Sequence, residues 1–200
     1  MGLTIAGPDR FLASGHPEVG ERLPPSLGLL RSSDGGQSWQ PVSLLGRADL
    51  HVLRASGRHV YGYDAGSETL LASTDGGRTW SARRPSTALI DLALDPRNAE
   101  HLVAATPEGL LRSRDAGRTW RPAGPSGTGL LVWSDALYLV GSDGVVVRSR
   151  DGGRNWEGAG AFEGRPVAAS GHGTELVVAT EQGRVLHSVD RARTWRPRLD

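Results

Sequence analysis

Five of the six tryptophans in this 200-residue chain end the same eight-residue phrase. The copies read Ser32-Ser-Asp34-Gly-Gly36-Gln-Ser-Trp39, Ser73-Thr-Asp75-Gly-Gly77-Arg-Thr-Trp80, Ser113-Arg-Asp115-Ala-Gly117-Arg-Thr-Trp120, Ser149-Arg-Asp151-Gly-Gly153-Arg-Asn-Trp156 and Ser188-Val-Asp190-Arg-Ala192-Arg-Thr-Trp195. Their closing tryptophans stand 41, 40, 36 and 39 residues apart. A period near 40 with four short apolar runs inside it is the length of one propeller blade, a four-stranded antiparallel sheet.

The residue types in the phrase have a common purpose. An Asp carboxylate accepts hydrogen bonds from backbone N–H groups a few residues ahead, and glycine supplies the positive φ that a tight turn demands. Ser and Thr hydroxyls satisfy further turn groups, and Trp opens the outgoing strand with a large apolar face. The last copy replaces both glycines by Arg191 and Ala192, as a terminal repeat with weakened turn chemistry would.

The phrase S-x-D-x-G-x-x-W resembles the Asp box, or bacterial neuraminidase (BNR) repeat, of sialidases, xyloglucanases, sortilin-type receptors and photosystem assembly factors. That resemblance implies an all-β propeller of five four-stranded blades, each with its Asp box on the hairpin between the third and fourth strands. The texture around Ser14-Gly-His-Pro17 and Tyr61-Gly-Tyr-Asp64 is also similar to actinobacterial exported proteins called glycosyl hydrolases. By this resemblance the compartment is extracellular or the cell envelope, although the chain shows no signal peptide.

Alternation and turn signals place one domain over residues 1–200, with blades near 1–45, 46–85, 86–125, 126–162 and 163–200. The strands fall at 2–7, 10–15, 27–32 and 39–44; at 50–55, 58–63, 69–73 and 80–83; and at 88–94, 100–105, 109–113 and 120–123. The last two blades use 129–133, 136–141, 144–149 and 156–159, then 166–170, 174–179, 184–188 and 195–199. Each blade is self-contained, so the five blades either close on themselves or form part of a larger propeller. An open arrangement would favour self-association through its end blades.

The long second-to-third-strand loop of the first blade, Gly15 to Ser26, is the irregular segment most suited to function. On the same rim the topology places Arg47, Asp49, His51, Tyr63 and Asp64. We therefore expect His16, Arg47, His51 and Tyr63 to contact a carbohydrate or protein ligand. If the protein is catalytic, Asp49, Asp64 and Glu18, with Glu21 beside them, are the candidate carboxylates of a glycoside hydrolase, which needs two suitably separated carboxyl groups. His16 and His51 with Asp49 and Asp64 also have the donor types of a divalent-metal site. The same residues equally serve as polar caps of loop ends. The binding module is the first reading and the hydrolase the alternative, because the sialidase signature residues are missing: no Phe/Tyr-Arg-Ile-Pro motif opens the chain, and no arginine triad can be assigned.

Composition excludes several other classes. All 23 basic residues are arginine and no cysteine is present, which removes P-loop and Schiff-base lysines, thiolate metal sites and cysteine nucleophiles. The 22 acids nearly cancel the arginines, so no nucleic-acid surface is expected, and no apolar run is long enough for a membrane helix. No cofactor motif is present. The turn arginines Arg78, Arg118, Arg154 and Arg193 recur at blade spacing and suggest a basic ring on the Asp-box side.

Overall fold

A computed structural model describes residues 1–199 and contains five four-stranded antiparallel sheets, each built from four consecutive strands. These sheets are the blades of a β-propeller. The chain divides into two compact units, one of Met1–Ser86 with Ala116–Arg118, the other of Thr87–Asp115 with Thr119–Asp200.

The first unit holds two blades. Blade 1 consists of β1 (Gly2–Gly7), β2 (Arg10–Ser14), β3 (Leu29–Ser32) and β4 (Gln40–Ser43), and blade 2 of β5 (Leu50–Ser56), β6 (His59–Asp64), β7 (Thr69–Ser73) and β8 (Ser81–Arg83). Their facing sides bury Leu12, Leu29, Leu50, Leu53 and Val60, against which Trp80 packs. Polar ties reinforce this apolar contact. Leu50 donates its N–H to Ser14 Oγ at 3.1 Å, and the Trp80 indole donates to Ser43 Oγ at 2.9 Å.

The second unit holds three blades. They are β9 (Asp91–Asp95), β10 (Asn98–Thr106), β11 (Gly109–Ser113) and β12 (Arg121–Pro122); β13 (Gly129–Trp133), β14 (Leu137–Gly141), β15 (Val145–Ser149) and β16 (Glu157–Ala161); and β17 (Pro166–His172), β18 (Glu175–Thr180), β19 (Val185–Ser188) and β20 (Arg196–Leu199). One core between blades 3 and 4 contains Val103, Ala105, Leu131 and Leu137, and a second between blades 4 and 5 contains Tyr138, Val140, Leu176 and Val178. Strand β9 begins three residues later than expected, at Asp91, whose buried carboxylate accepts the N–H groups of Leu92 and Leu131 at 2.7 and 2.8 Å.

The five Asp boxes occupy the hairpins between third and fourth strands, as expected, and share one hydrogen-bond design. Ser73 is typical: its hydroxyl donates to Asp75 Oδ1 at 2.8 Å and accepts the Gly77 N–H at 2.9 Å. Asp75 in turn accepts the backbone N–H and hydroxyl of Thr79 at 2.9 and 2.7 Å. Gly77 sits at φ +84°, and a Cβ there would lie 2.1 Å from Leu29 Cδ2 in the core. The divergent last copy keeps the same turn with non-glycine residues, Arg191 at φ 65° and Ala192 at φ 66°, while Ala192 donates its N–H to Ser188 Oγ at 3.0 Å. A left-handed conformation costs such residues about 1–2 kcal/mol each, so this hairpin carries strain at two positions, against one in the third copy, where Ala116 has φ 59°, and none where both residues are glycine.

These contacts separate two effects of the same substitution. Gly35 has φ +73°, and a Cβ there would meet only Asp9 Oδ1 at 3.8 Å, an ordinary contact, so Gly35→Ala should cost about 1–2 kcal/mol from backbone strain alone. Gly77→Ala adds a collision with fully buried Leu29 and should cost about 1–3 kcal/mol more. Urea denaturation of both variants measures the difference, and equal losses would refute this account.

The Asp-box carboxylates also make stability depend on pH. The hydroxyl and N–H of Ser38 hold Asp34 down at about 2, and the N–H and hydroxyl of Thr194 hold Asp190 at about 2, against an ordinary 3.8. Asp75 and Asp151 are lowered further, chiefly by the N–H groups of Thr79 and Asn155. Depressed folded values mean that this stabilisation is complete above the unfolded value, about 4, and is lost as pH falls toward about 2. Melting temperature should therefore be insensitive to these groups above about pH 5 and fall steeply below about pH 4. A thermal melt series across that range tests it; a flat profile down to about pH 3 would contradict the assignment.

Candidate functional site

Within the first unit, the rim residues named from sequence separate into engaged, buried and exposed groups. Asp64, 8% exposed at the end of β6, accepts the Asp49 N–H on Oδ1 at 2.9 Å and the Ser67 hydroxyl on Oδ2. Its carboxylate thus straps the entry of β5 to the end of β6. Tyr63 is buried at 4% exposure. Arg47 is exposed in the turn before β5 and donates its N–H to the Leu44 carbonyl at 2.9 Å. Glu18 is exposed in the long loop, where its N–H donates to Glu21 Oε2 at 3.1 Å.

His16, Asp49 and His51 do come together. Asp49 Oδ2 lies 3.3 Å from His16 Nε2 and 2.8 Å from His51 Nε2. The loop base is closed by the Leu27 N–H donating to the Gly15 carbonyl at 2.9 Å, which brings His16 over the start of β5. The pairing of β5 with β6 shifts register between Leu50 and Val52, so His51 is the extra residue of a β-bulge. Bulges re-aim side chains in this manner.

A second concave site lies in the second unit, at the end of blades 3 and 4 that carries their Asp boxes. The cavity measures about 280 Å³, and its lining includes Arg97, Arg112, Arg114, Arg150 and Arg154 together with Asp95, Asp135 and Asp151. Trp133 supplies an aromatic wall. All three carboxylates are already engaged. Asp95 accepts the Arg97 N–H at 2.9 Å and lies 3.7 Å from His101; Asp151 accepts the N–H and side-chain amide of Asn155 at 2.9 and 2.6 Å. Asp135 accepts from the Tyr138 hydroxyl at 2.9 Å and from Arg191 Nε at 2.7 Å. Burial pushes the Asp135 carboxyl up, but the Arg191 guanidinium and the Tyr138 hydroxyl outweigh it and hold the group below its ordinary value. The same burial, with the neighbouring Asp135 charge, drives Tyr138 up to about 12.

The guanidinium groups are less fully satisfied. Arg150 pairs with Glu157 at 3.0 Å, whereas Arg112 Nη1 and the Ser134 hydroxyl, also on the cavity wall, are buried without a hydrogen-bond partner among the described residues. Sequence reading placed the ligand rim at the opposite strand ends and did not identify this cavity, although it did mark Arg154 in the possible basic ring. A usable signal was present. Only the boxes of blades 3 and 4 carry arginine at the second position, Arg114 and Arg150, and both line the cavity.

Comparison with known proteins agrees with this architecture. A family model described as BNR/Asp-box repeat matches residues 71–82. No curated protein matches the chain. Among solved structures, YCF48 bound to D1 peptide is similar over 98% of this chain and 67% of its own, with 19% identity and a TM-score of 0.63. YCF48 from Cyanidioschyzon merolae is similar over 80% of this chain and 59% of its own, at 18% identity and a TM-score of 0.61. The GH74 xyloglucanase from Xanthomonas campestris is similar over 96% of this chain at 18% identity and a TM-score of 0.58, but the chain spans only 36% of that enzyme's length. By its five repeats, its blades and these likenesses, the chain is an Asp-box β-propeller.

Proposed function

We propose that this propeller is a non-catalytic binding module that takes an acidic segment of a protein partner in the arginine-lined cavity of blades 3 and 4. The observation that carries this reading is the imbalance of unmet hydrogen-bonding capacity in the cavity. Five arginines line it against three aspartates, the aspartates are engaged, and Arg112 offers a buried N–H without a partner. A guanidinium fork meets a carboxylate with two parallel charge-assisted hydrogen bonds, the strong form of such contacts.

Size favours a peptide side chain over a sugar chain. At about 280 Å³ the cavity lies just below the range of about 300–1,000 Å³ typical of small-molecule sites, and it accommodates one or two acidic side chains beside Trp133. A propeller of similar fold, YCF48, has been seen bound to D1 peptide, which supports a peptide ligand for this architecture. Hydrolysis finds less support. A glycosidase needs a carboxylic acid that still carries its proton near neutral pH. The Asp135 and Asp151 carboxyls are shifted the other way, and Asp64 is consumed as a backbone strap.

Fluorescence anisotropy with a labelled Glu/Asp-rich peptide tests the proposal. Binding is expected to weaken at least about tenfold in Arg112→Gln and in an Arg114→Gln, Arg154→Gln double variant, and to weaken with salt. Equal affinity across these variants, or no binding, would overturn it. Heparin captured through the same arginines without peptide binding would instead favour an acidic polysaccharide. In parallel, a chromogenic-glycoside screen should show no turnover; turnover lost in Asp49→Asn or Asp64→Asn would restore the hydrolase reading.

A further inference from the structure

We infer that His16, Asp49 and His51 form a binding site for a transition-metal dication of the zinc class. The three residues offer two imidazole nitrogens and one carboxylate oxygen, with all donor atoms within 4.8 Å of one another. With zinc bonds of about 2.0–2.1 Å, tetrahedral donors stand about 3.3 Å apart. The His16 Nε2 to Asp49 Oδ2 distance is 3.3 Å, and the 2.8 Å contact to His51 Nε2 needs to open by only a few tenths.

The orientation of the His16 ring gives the second argument. His16 Nδ1 lies 2.7 Å from the carbonyl oxygen of Pro25, which can only accept, so Nδ1 carries a proton. That contact turns Nε2 toward the Asp49 carboxylate, 3.3 Å away. A backbone carbonyl holding the far nitrogen of a ligating histidine is the usual way that proteins orient such rings.

The third argument concerns Asp49. Its Oδ1 is buried without a hydrogen-bond partner among the described residues, while its backbone N–H is fixed by Asp64. The polar contacts of the carboxylate are therefore concentrated on Oδ2, which faces both histidines. Both rings are about half exposed, at 51% and 50%, which leaves a fourth coordination position open to water. The donor set, nitrogen and oxygen without sulfur, suits zinc and its neighbours in the first transition row better than magnesium or calcium. Bound there, the ion would cross-link the long loop of blade 1 to the first strand of blade 2.

Equilibrium dialysis of the chelator-treated full chain against zinc chloride, followed by elemental analysis, provides the test. One zinc ion per chain is expected, with His16→Ala and His51→Ala each weakening uptake at least tenfold. Zinc should also raise the melting temperature of the wild type and not that of either variant. His51→Gln, which keeps polarity and volume, should lose the ion while melting like the metal-free wild type. No zinc uptake by the wild type would overturn the site. So would uptake unchanged in all three variants, because the metal would then belong to other histidines.

Discussion

Every blade depends on one buried serine hydroxyl at the head of its Asp box. Ser32, Ser73, Ser113, Ser149 and Ser188 are all 3% exposed or less, and each donates to the aspartate two residues ahead. In the boxes of blades 1, 2, 4 and 5 the same oxygen also accepts the N–H of the fifth residue, from Gly36, Gly77, Gly153 and Ala192. An unmet buried N–H costs about 1–3 kcal/mol, so this small side chain makes it possible to bury the tight turn against a neighbouring blade. The aspartate then gathers the outer half of the hairpin, and the tryptophan closes it.

Blade stacking follows from the same turn. Because Gly77 has no side chain, Leu29 of blade 1 packs directly on the turn of blade 2, and Trp80 reaches back to Ser43. In the second unit the Ala192 carbonyl lies so close to Gly160 that a Cβ there would be 2.0 Å away. The hairpin is thus both the local staple of its own blade and the surface on which the preceding blade rests. This dual use explains why the phrase tolerates variation at some positions and not at others.

That division also governs what could be read in the sequence. The strands and hairpins were legible because the Asp box fixes turn position to within a residue or two, and alternation fills in the rest: β7 and β13 run over the expected 69–73 and 129–133. The meeting of His16, Asp49 and His51 was only partly legible. Residues 49 and 51 lie close together in sequence, but the approach of His16 depends on an irregular loop closed by its own backbone bond, and the aim of His51 on a bulge. Neither has a short-range signature. The role of Asp64 was equally hidden, since a carboxylate beside a rim reads the same whether it faces a ligand or accepts a neighbouring N–H.

The arginine cavity illustrates how function can be added to a repeat without disturbing it. Positions one, three, five and seven of the phrase are committed to the hydrogen bonds that form the turn, whereas the side chains of Arg114 and Arg150 at position two and Arg154 at position six sit outside that network. Arginine at the second position of two successive boxes, Arg114 and Arg150, together with Arg154 at the sixth, therefore gathers basic groups into one cavity at no cost to the hairpin. The aspartates remain charged, but their oxygens are already occupied by serine, threonine, asparagine and backbone donors. They temper the local field without tying up the guanidinium forks. A repeat of this kind separates the residues that make the blade from those that give it a ligand, so the same phrase can recur in proteins with different activities.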